Sequence, residues 1–356
     1  MRALFVIPYR QLDGAARALL EGGASLTTSD YFSIILTVPG GDVERMAHHL
    51  SLETLPIVSS QSVVARATAL QAIISKHFVD LVFVGTEKDL LAAALAARWS
   101  GRGAVVQRVG AGETFERQWR SRLAQRMVRT GFLVAAPHLT VPPGNGVEVL
   151  EAPLGVRLPT VAADVVREAH EPRLTCITGS GDTDRRALGE ALRAFALLRQ
   201  RFSTLRLAVV GERRVITDGR PQLHAAALGV SKHVDWIADP LQRDVTLGGS
   251  TIGYVAAGGD DGVYGWLDLM AHGVPFVALQ TPLAERYAAN GIHGVLLATL
   301  DPARAAAELA VMLASPARRE AMGAASRARV ARDFNDRTAA QPFEQVARRL
   351  RATKSS

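Results

Sequence analysis

Residues 251–279 read TIGYVAAGGDDGVYGWLDLMAHGVPFVAL, and this stretch holds one complete step from strand through loop and helix to the next strand. The run Thr251 to Ala257 carries β-branched and aromatic residues up to a glycine pair, which predicts a buried strand. Gly258 to Gly265 is predicted as the loop at its carboxyl end, with Asp260, Asp261, Gly262, Val263, Tyr264 and Gly265 in it. Trp266 to His272 is predicted as the following helix, with Asp268 in its first turn and Gly273 closing it ahead of the strand Val274 to Leu279. Open parallel sheets bind ligands at the carboxyl ends of their strands, so this loop is predicted to face a ligand. Two readings stand for Asp268: a carboxylate at a helix start gains from the dipole, or, as an acceptor-only group, it receives hydrogen bonds from ligand hydroxyls.

Outward from this step, short β-branched runs alternate with longer helical patterns, and the alternation occurs twice. The first series has strands near ALFVIP, FSIILTV, VDLVFVG, AVVQRVG and GFLVAA, with helices at SVVARATALQAIISKHF and KDLLAAALAARWS. It ends in the proline- and glycine-rich stretch APHLTVPPGNGVEVLEAPLGVRLP, predicted as a linker. The second series has strands near RLTCITG, LRLAVVG, HVDWIA, TIGYVAA, VPFVAL and HGVLLA, followed by helices to the end. The predicted fold is α/β, with two Rossmann-like domains. The expected boundaries are 1–157 for the first domain, 158–334 for the second and 335–356 for a final helix whose Phe343, Val346 and Leu350 share one face.

Length and composition agree. A chain of 356 residues with 48% hydrophobic and 21% charged residues is globular and long enough for two cores. No apolar run approaches the roughly 18 residues that span a bilayer, and the opening MRALFVIPYRQLDG turns polar early for a signal peptide, so a cytoplasmic location is expected. The single Cys176 reads as a small buried residue in a strand, and no metal-ligand spacing occurs, so no metal is expected. The net charge of +7 concentrates in arginines of RQWRSRLAQRMVRTG and of the tail. Arg117, Arg120, Arg122, Arg126 and Arg129 recur at helical spacing with Leu123, Met127 and Val128 between them. Residues 117–130 are thus either a solvated helix or a contact for an anionic membrane surface, which would place the protein at the inner face of a membrane. Interleaved aromatics and known modules are lacking, so nucleic acid is not expected as a partner.

Two further loops invite an anion. PYRQLDGAAR opens a helix at Gly14, where backbone can approach a ligand. ITGSGDTDRRALGEAL places Gly179, Ser180 and Gly181 before a helix with Arg185 and Arg186 in its first turn. Cations there oppose the helix dipole and call for an anionic partner, a phosphate, unless they are simply solvated.

Taken together, residues 150–350 resemble the retaining glycosyltransferases of the GT-B fold, in particular the large family 4 group. The resemblance lies in Asp260 and Asp268 as the family's E-x7-E pair, followed by Leu269-Met270-Ala271-His272-Gly273-Val274-Pro275. VVGERR, AALGVSKHVDWIAD and the closing stretch with Glu285, Gly291 and Gly294 fit the same pattern, and LEAPLGVRLP resembles the interdomain segment with Leu154 in place of asparagine. The first domain matches by layout only.

The resemblance implies two domains facing across a cleft, with the final helix returning to the first, and transfer of a sugar from a nucleotide diphosphate sugar to a glycan or lipid-linked acceptor with retention. It implies no separate cofactor. Asp268 would hold ribose hydroxyls, Asp260 would face the donor sugar, Gly262 to Gly265 would supply amides to the sugar and diphosphate, Arg185 would stabilise the departing diphosphate, and Glu285 would lie near the nucleotide. Several positions depart from the family. Both members of the pair are aspartate rather than glutamate, Asp261 competes with Asp260, and Ser180 replaces an arginine. No histidine follows the fifth strand, where Arg108 and Glu113 are the nearest polar candidates and His138 falls in the wrong segment. A relative that has lost transfer and serves as a binding or scaffold subunit, and a sugar-nucleotide epimerase of the same fold, stay open as alternatives.

Overall fold

The computed structural model describes residues 1–27, 31–57, 62–111, 118–135, 148–159, 171–179 and 181–352. Arg117, Glu113, His138 and Ser180 lie outside them. The chain divides into two units, Met1–Leu154 with Asp336–Ser356, and Gly155–Asn335.

The sheet of the first unit has seven parallel strands: β1 (Arg2–Ile7), β2 (Phe32–Thr37), β3 (Glu53–Pro56), β4 (Leu81–Val84), β5 (Ala104–Val109), β6 (Thr130–Val134) and β7 (Glu148–Glu151). Their order is β3-β2-β1-β4-β5-β6-β7. Because side chains alternate between faces, each strand feeds two cores. Leu4, Val6, Val82, Val84 and Val105 pack with Leu70 and Ile74 of the Val63–Lys76 helix and with Leu90 of the Glu87–Ser100 helix. Phe5, Ile7, Phe83 and Val106 face the other way, onto Leu19 and Leu20 of the Gly14–Thr27 helix. That second face also takes the C-terminal helix Asp336–Ala352, whose Phe343, Val346 and Leu350 are buried there. Phe343 lies 5.6 Å from Phe83 between ring centroids. Gly22 makes room for it, since a Cβ at that position would come within 2.4 Å of the Phe343 ring. The final helix therefore does return to the first unit.

The second unit repeats the plan with six parallel strands: β8 (Arg173–Thr178), β9 (Arg206–Val210), β10 (Val234–Ile237), β11 (Ile252–Ala256), β12 (Phe276–Leu279) and β13 (Val295–Leu297). Their order is β10-β9-β8-β11-β12-β13. Strands β8 and β11 run level, with Tyr254 opposite Cys176 and Ala256 opposite Thr178. Cys176 is fully buried and packs in the core with Leu188, Leu192 and Phe195 of the Asp182–Arg201 helix.

Two expectations are corrected. The stretch predicted as a linker contributes a strand, because Glu148–Glu151 pairs with β6 and extends the sheet. The predicted loop Gly258–Gly265 is mostly helix: it starts at Gly259 and runs to Ala271. Asp260 and Asp261 lie in its first turn, where carboxylates favour helix initiation, and this outweighs the helix-breaking tendency of the glycines. The glycines serve packing instead. A Cβ on Gly262 would sit 2.5 Å from the Ala257 carbonyl oxygen, and one on Gly265 would meet Val255 and Ile177 at 3.1 and 3.3 Å. The other end behaves as predicted. Gly273 adopts φ +64°, the Val274 N–H donates to the Leu269 carbonyl and the Gly273 N–H to that of Met270, a Schellman stop.

Candidate functional site

The chain leaves β8 toward β9 and β10 on one side of the second sheet, and leaves β11 toward β12 and β13 on the other. The loops after β8 and β11 therefore diverge and open a crevice at their carboxyl ends, the position at which open α/β sheets take ligands. Each loop is short and feeds a helix almost at once. Gly179 and Gly181 precede the Asp182–Arg201 helix, and Gly258 precedes the Gly259–Ala271 helix. Two helix N-termini thus converge on one place.

A residue that the sequence reading passed over joins them. Asp184, in the first turn of its helix, accepts the Gly181 N–H on Oδ2 and the Gly258 N–H on Oδ1, both at 3.0 Å. Gly179 lets the carboxylate in, because a Cβ there would stand 2.4 Å from Asp184 Oδ2. The signal in the sequence was an aspartate three residues after Gly181, which predicts the local capping bond. Its second bond, across 74 residues, has no local signal.

Asp260 is buried, at 8% exposure, in the first turn of the helix after β11, with Asp261 beside it. Val263, Tyr264 and Gly265 are buried inside that helix. The Gly262 N–H is spent on the Gly258 carbonyl at 2.9 Å. The amides at the mouth of the crevice are accordingly those of 259–261, not of 262–265. Arg185 and Arg186 are exposed, and neither makes an ion pair or side-chain hydrogen bond among the described residues. Glu285 is exposed on the Pro282–Tyr287 helix after β12 and accepts a hydrogen bond from Gln280 Nε2 at 2.6 Å.

Asp268 is placed differently from expectation. It lies in the third turn of its helix, beyond the reach of the N-terminal dipole, because the helix begins at Gly259. The residue is 3% exposed, and its carboxylate is held by Arg243 Nε at 2.7 Å. Arg243 was not singled out from sequence, since it opens a short helix 25 residues earlier and carries no motif.

The corresponding point of the first unit lies between β1 and β4, and its own side chains fill it. Asp89 is fully buried in the Glu87–Ser100 helix. It accepts the Tyr9 hydroxyl at 2.9 Å and the Thr86 hydroxyl at 2.7 Å, and pairs with Arg66. Burial, reinforced by the Asp89 charge, pushes the Tyr9 phenol far above its ordinary range, so it remains a donor. Gly14 begins its helix as predicted and is buried, with Asp13 Oδ1 accepting the Ala16 N–H at 2.7 Å. Arg108 is a residue of β5 at 2% exposure. Among the described residues no cluster of three or more histidine, cysteine, aspartate or glutamate side chains is placed to hold a metal ion, and no helix is long and apolar enough to cross a membrane.

No protein-family model matches the chain, and no curated protein does. Solved structures do. A glycosyltransferase from Rickettsia africae has 15% identity and a TM-score of 0.71, with 98% of each chain covered. The HepE protein of Anabaena, in complex with UDP-glucose, has 15% identity and a TM-score of 0.68, covering 98% of this chain and 99% of that one. A candidate UDP-N-acetylglucosamine 2-epimerase from Listeria monocytogenes has 13% identity and a TM-score of 0.66, covering 98% and 95%. Likeness at such identity speaks for the fold: two parallel-sheet α/β units of seven and six strands, arranged in the chain as in GT-B glycosyltransferases.

Proposed function

We propose that the protein is a glycosyltransferase that binds a nucleotide diphosphate sugar on its second unit and passes the sugar, with retention, to a glycan or lipid-linked acceptor. The observation that carries this reading is the crevice between β8 and β11. Two helix N-termini meet there, with Arg185 and Arg186 near the start of one of them, two cations that make no ion pair or side-chain hydrogen bond among the described residues, and a diphosphate is the group such a place attracts. Asp260, buried at the same end of the sheet, is the acceptor for sugar hydroxyls. Arg185 offsets charge on the departing nucleoside diphosphate. The equivalent point of the first unit has no such vacancy for an anion, because Asp89 already puts a carboxylate there. Retention rests on the resemblance of the Asp260 to Asp268 spacing to the family pair. With Asp268 tied to Arg243, we assign it to fixing the helix behind the site rather than to the ribose. The complex of HepE with UDP-glucose makes UDP the first nucleotide to try.

The acceptor side of the proposal rests on the Gln118–Met127 helix. Trp119 and Leu123 are 55% and 40% exposed, and Arg122 and Arg126 are exposed at the intervening helical positions. One face thus carries an aromatic ring, a leucine and two cations, a composition suited to an anionic membrane surface that holds a lipid-linked acceptor. The face is narrower than residues 117–130: Arg120 lies over the Trp119 ring, 5.5 Å from its centroid, and Arg129 donates to the Arg349 carbonyl.

Donor hydrolysis across a panel of nucleotide sugars tests the central reading. Turnover of at least one donor, lost in Asp260→Asn while nucleoside diphosphate still binds, is expected. Binding of nucleotides with silence across the whole panel would favour the scaffold alternative, and release of a C2-epimerised sugar would favour the epimerase.

A further inference from the structure

Asp184 does more than cap its own helix. An aspartate in the first turn ordinarily satisfies one nearby backbone N–H, and here the Gly181 bond fills that role. The other oxygen reaches the N-cap of a different helix, at Gly258, next to the turn that holds Asp260 and Asp261. The two loops that flank the crevice are therefore connected by one carboxylate, and Arg185, the next residue, is carried with it. The first unit has a parallel device: Asp89, also in a first helical turn at a reversal of strand order, takes the hydroxyl of Tyr9 from the neighbouring loop. There Arg66 neutralises the carboxylate and the group is fully buried. Asp184 is only half-buried and makes no ion pair among the described residues.

We infer that Asp184 is a positioning residue of the donor site: it clasps the β8 and β11 loops at a fixed separation, so that the diphosphate meets Arg185 and the amides of 259–261 together. This inference rests on the proposed function for the identity of the ligand, but the clasp can be tested without it.

The opposite effect can be derived from the same charge. A carboxylate in the crevice repels a diphosphate, and if repulsion dominated, removing the charge would tighten binding. The clasp predicts the reverse sign. Asp184→Asn keeps the shape but replaces one acceptor oxygen with an NH2 that faces a backbone donor, so one of the two bonds is lost.

The experiment has two arms. In the first, amide hydrogen exchange on the free protein is expected to speed up at Gly181 or Gly258 in Asp184→Asn, which keeps one acceptor oxygen, and at both in Asp184→Ala, which keeps none; unchanged exchange at Gly258 in Asp184→Ala would overturn the clasp. In the second, calorimetric titration is expected to show UDP affinity falling about tenfold, the loss for one hydrogen bond to a charged group, with uridine affinity unchanged. Equal or tighter UDP binding overturns the positioning role, and an equal loss for uridine reassigns Asp184 to general stability. Asp182→Asn removes the same charge from the same turn without touching Gly258, and should leave UDP affinity within about twofold. Should Asp184→Asn fail to fold, Gly179→Ala replaces it, since the added Cβ would press on Asp184 Oδ2 and is expected to reproduce both effects. If the wild-type protein binds no nucleoside diphosphate, the proposed function falls, and the clasp is decided by the exchange arm.

Discussion

Replacing Arg243 with methionine tests the reading of the Asp268 pair. The two side chains meet at 2.7 Å with 21% and 4% exposure, so the carboxylate is nearly dry and the guanidinium is reached by some water. Unit charges about 4 Å apart at an effective dielectric of about 20 attract by about 4 kcal/mol. Removing one partner of a buried pair costs about 3–5 kcal/mol because the other charge is stranded. Partial exposure of Arg243 puts the expectation at the low end, about 3 kcal/mol for Arg243→Met. For a unit of this size each kcal/mol lowers Tm by about 2–4 °C, giving a fall of about 6–12 °C in scanning calorimetry. The double variant Arg243→Met with Asp268→Asn has no charge to strand and should recover at least half of that loss. A fall under about 2 °C for Arg243→Met, or a double variant as unstable as the sum of the singles, would refute the argument that Arg243 holds a buried carboxylate.

Three more outcomes follow from the geometry. Gly323→Ala should destabilise by about 1–3 kcal/mol, since its Cβ would stand 2.4 Å from the Gly273 carbonyl oxygen, whereas Gly189→Ala, with open space around it in mid-helix, should stabilise by about 0.5–1 kcal/mol; denaturant midpoints compare them. Burial, then the charges of Arg329 and Arg332, lower the His293 pKa in the folded state, so the unfolded chain takes up a proton first and stability declines as pH falls through about 6.5 toward the folded value. His293→Asn, which can still accept the Ala289 N–H, should lose less stability than wild type between pH 7.5 and 5.5, and equal losses would remove His293 as the cause. Arg122→Glu with Arg126→Glu should abolish sedimentation with phosphatidylserine vesicles while the protein stays folded; undiminished binding would leave that face as ordinary solvated surface.

The strands were legible because a buried parallel strand is a short β-branched run, and RLTCITG, LRLAVVG and TIGYVAA all became strands of the second sheet. The edge strands Glu53–Pro56 and Glu148–Glu151 were not legible: each is four residues long and has exposed positions, so neither presents a continuous apolar run. The helix start at Gly259 was misjudged because Gly262 and Gly265 look like loop residues, whereas tertiary packing against Ala257, Val255 and Ile177 is what requires them. Asp260 is buried and Arg185 and Arg186 are exposed, near the starts of their helices. The partner of Asp268 and the second bond of Asp184 were hidden for a shared reason, since both join side chains to groups on other elements and neither has a periodic trace in the chain.

Photoaffinity labelling with 5-azido-UDP, followed by digestion and mass spectrometry, tests most directly whether the crevice between β8 and β11 receives the nucleotide. The account predicts label on peptides covering 177–190 and 256–268, competed away by unlabelled UDP. Competable label confined to residues 1–154 would contradict it, because the donor would then sit on the unit whose corresponding point Asp89, Arg66 and Tyr9 already fill.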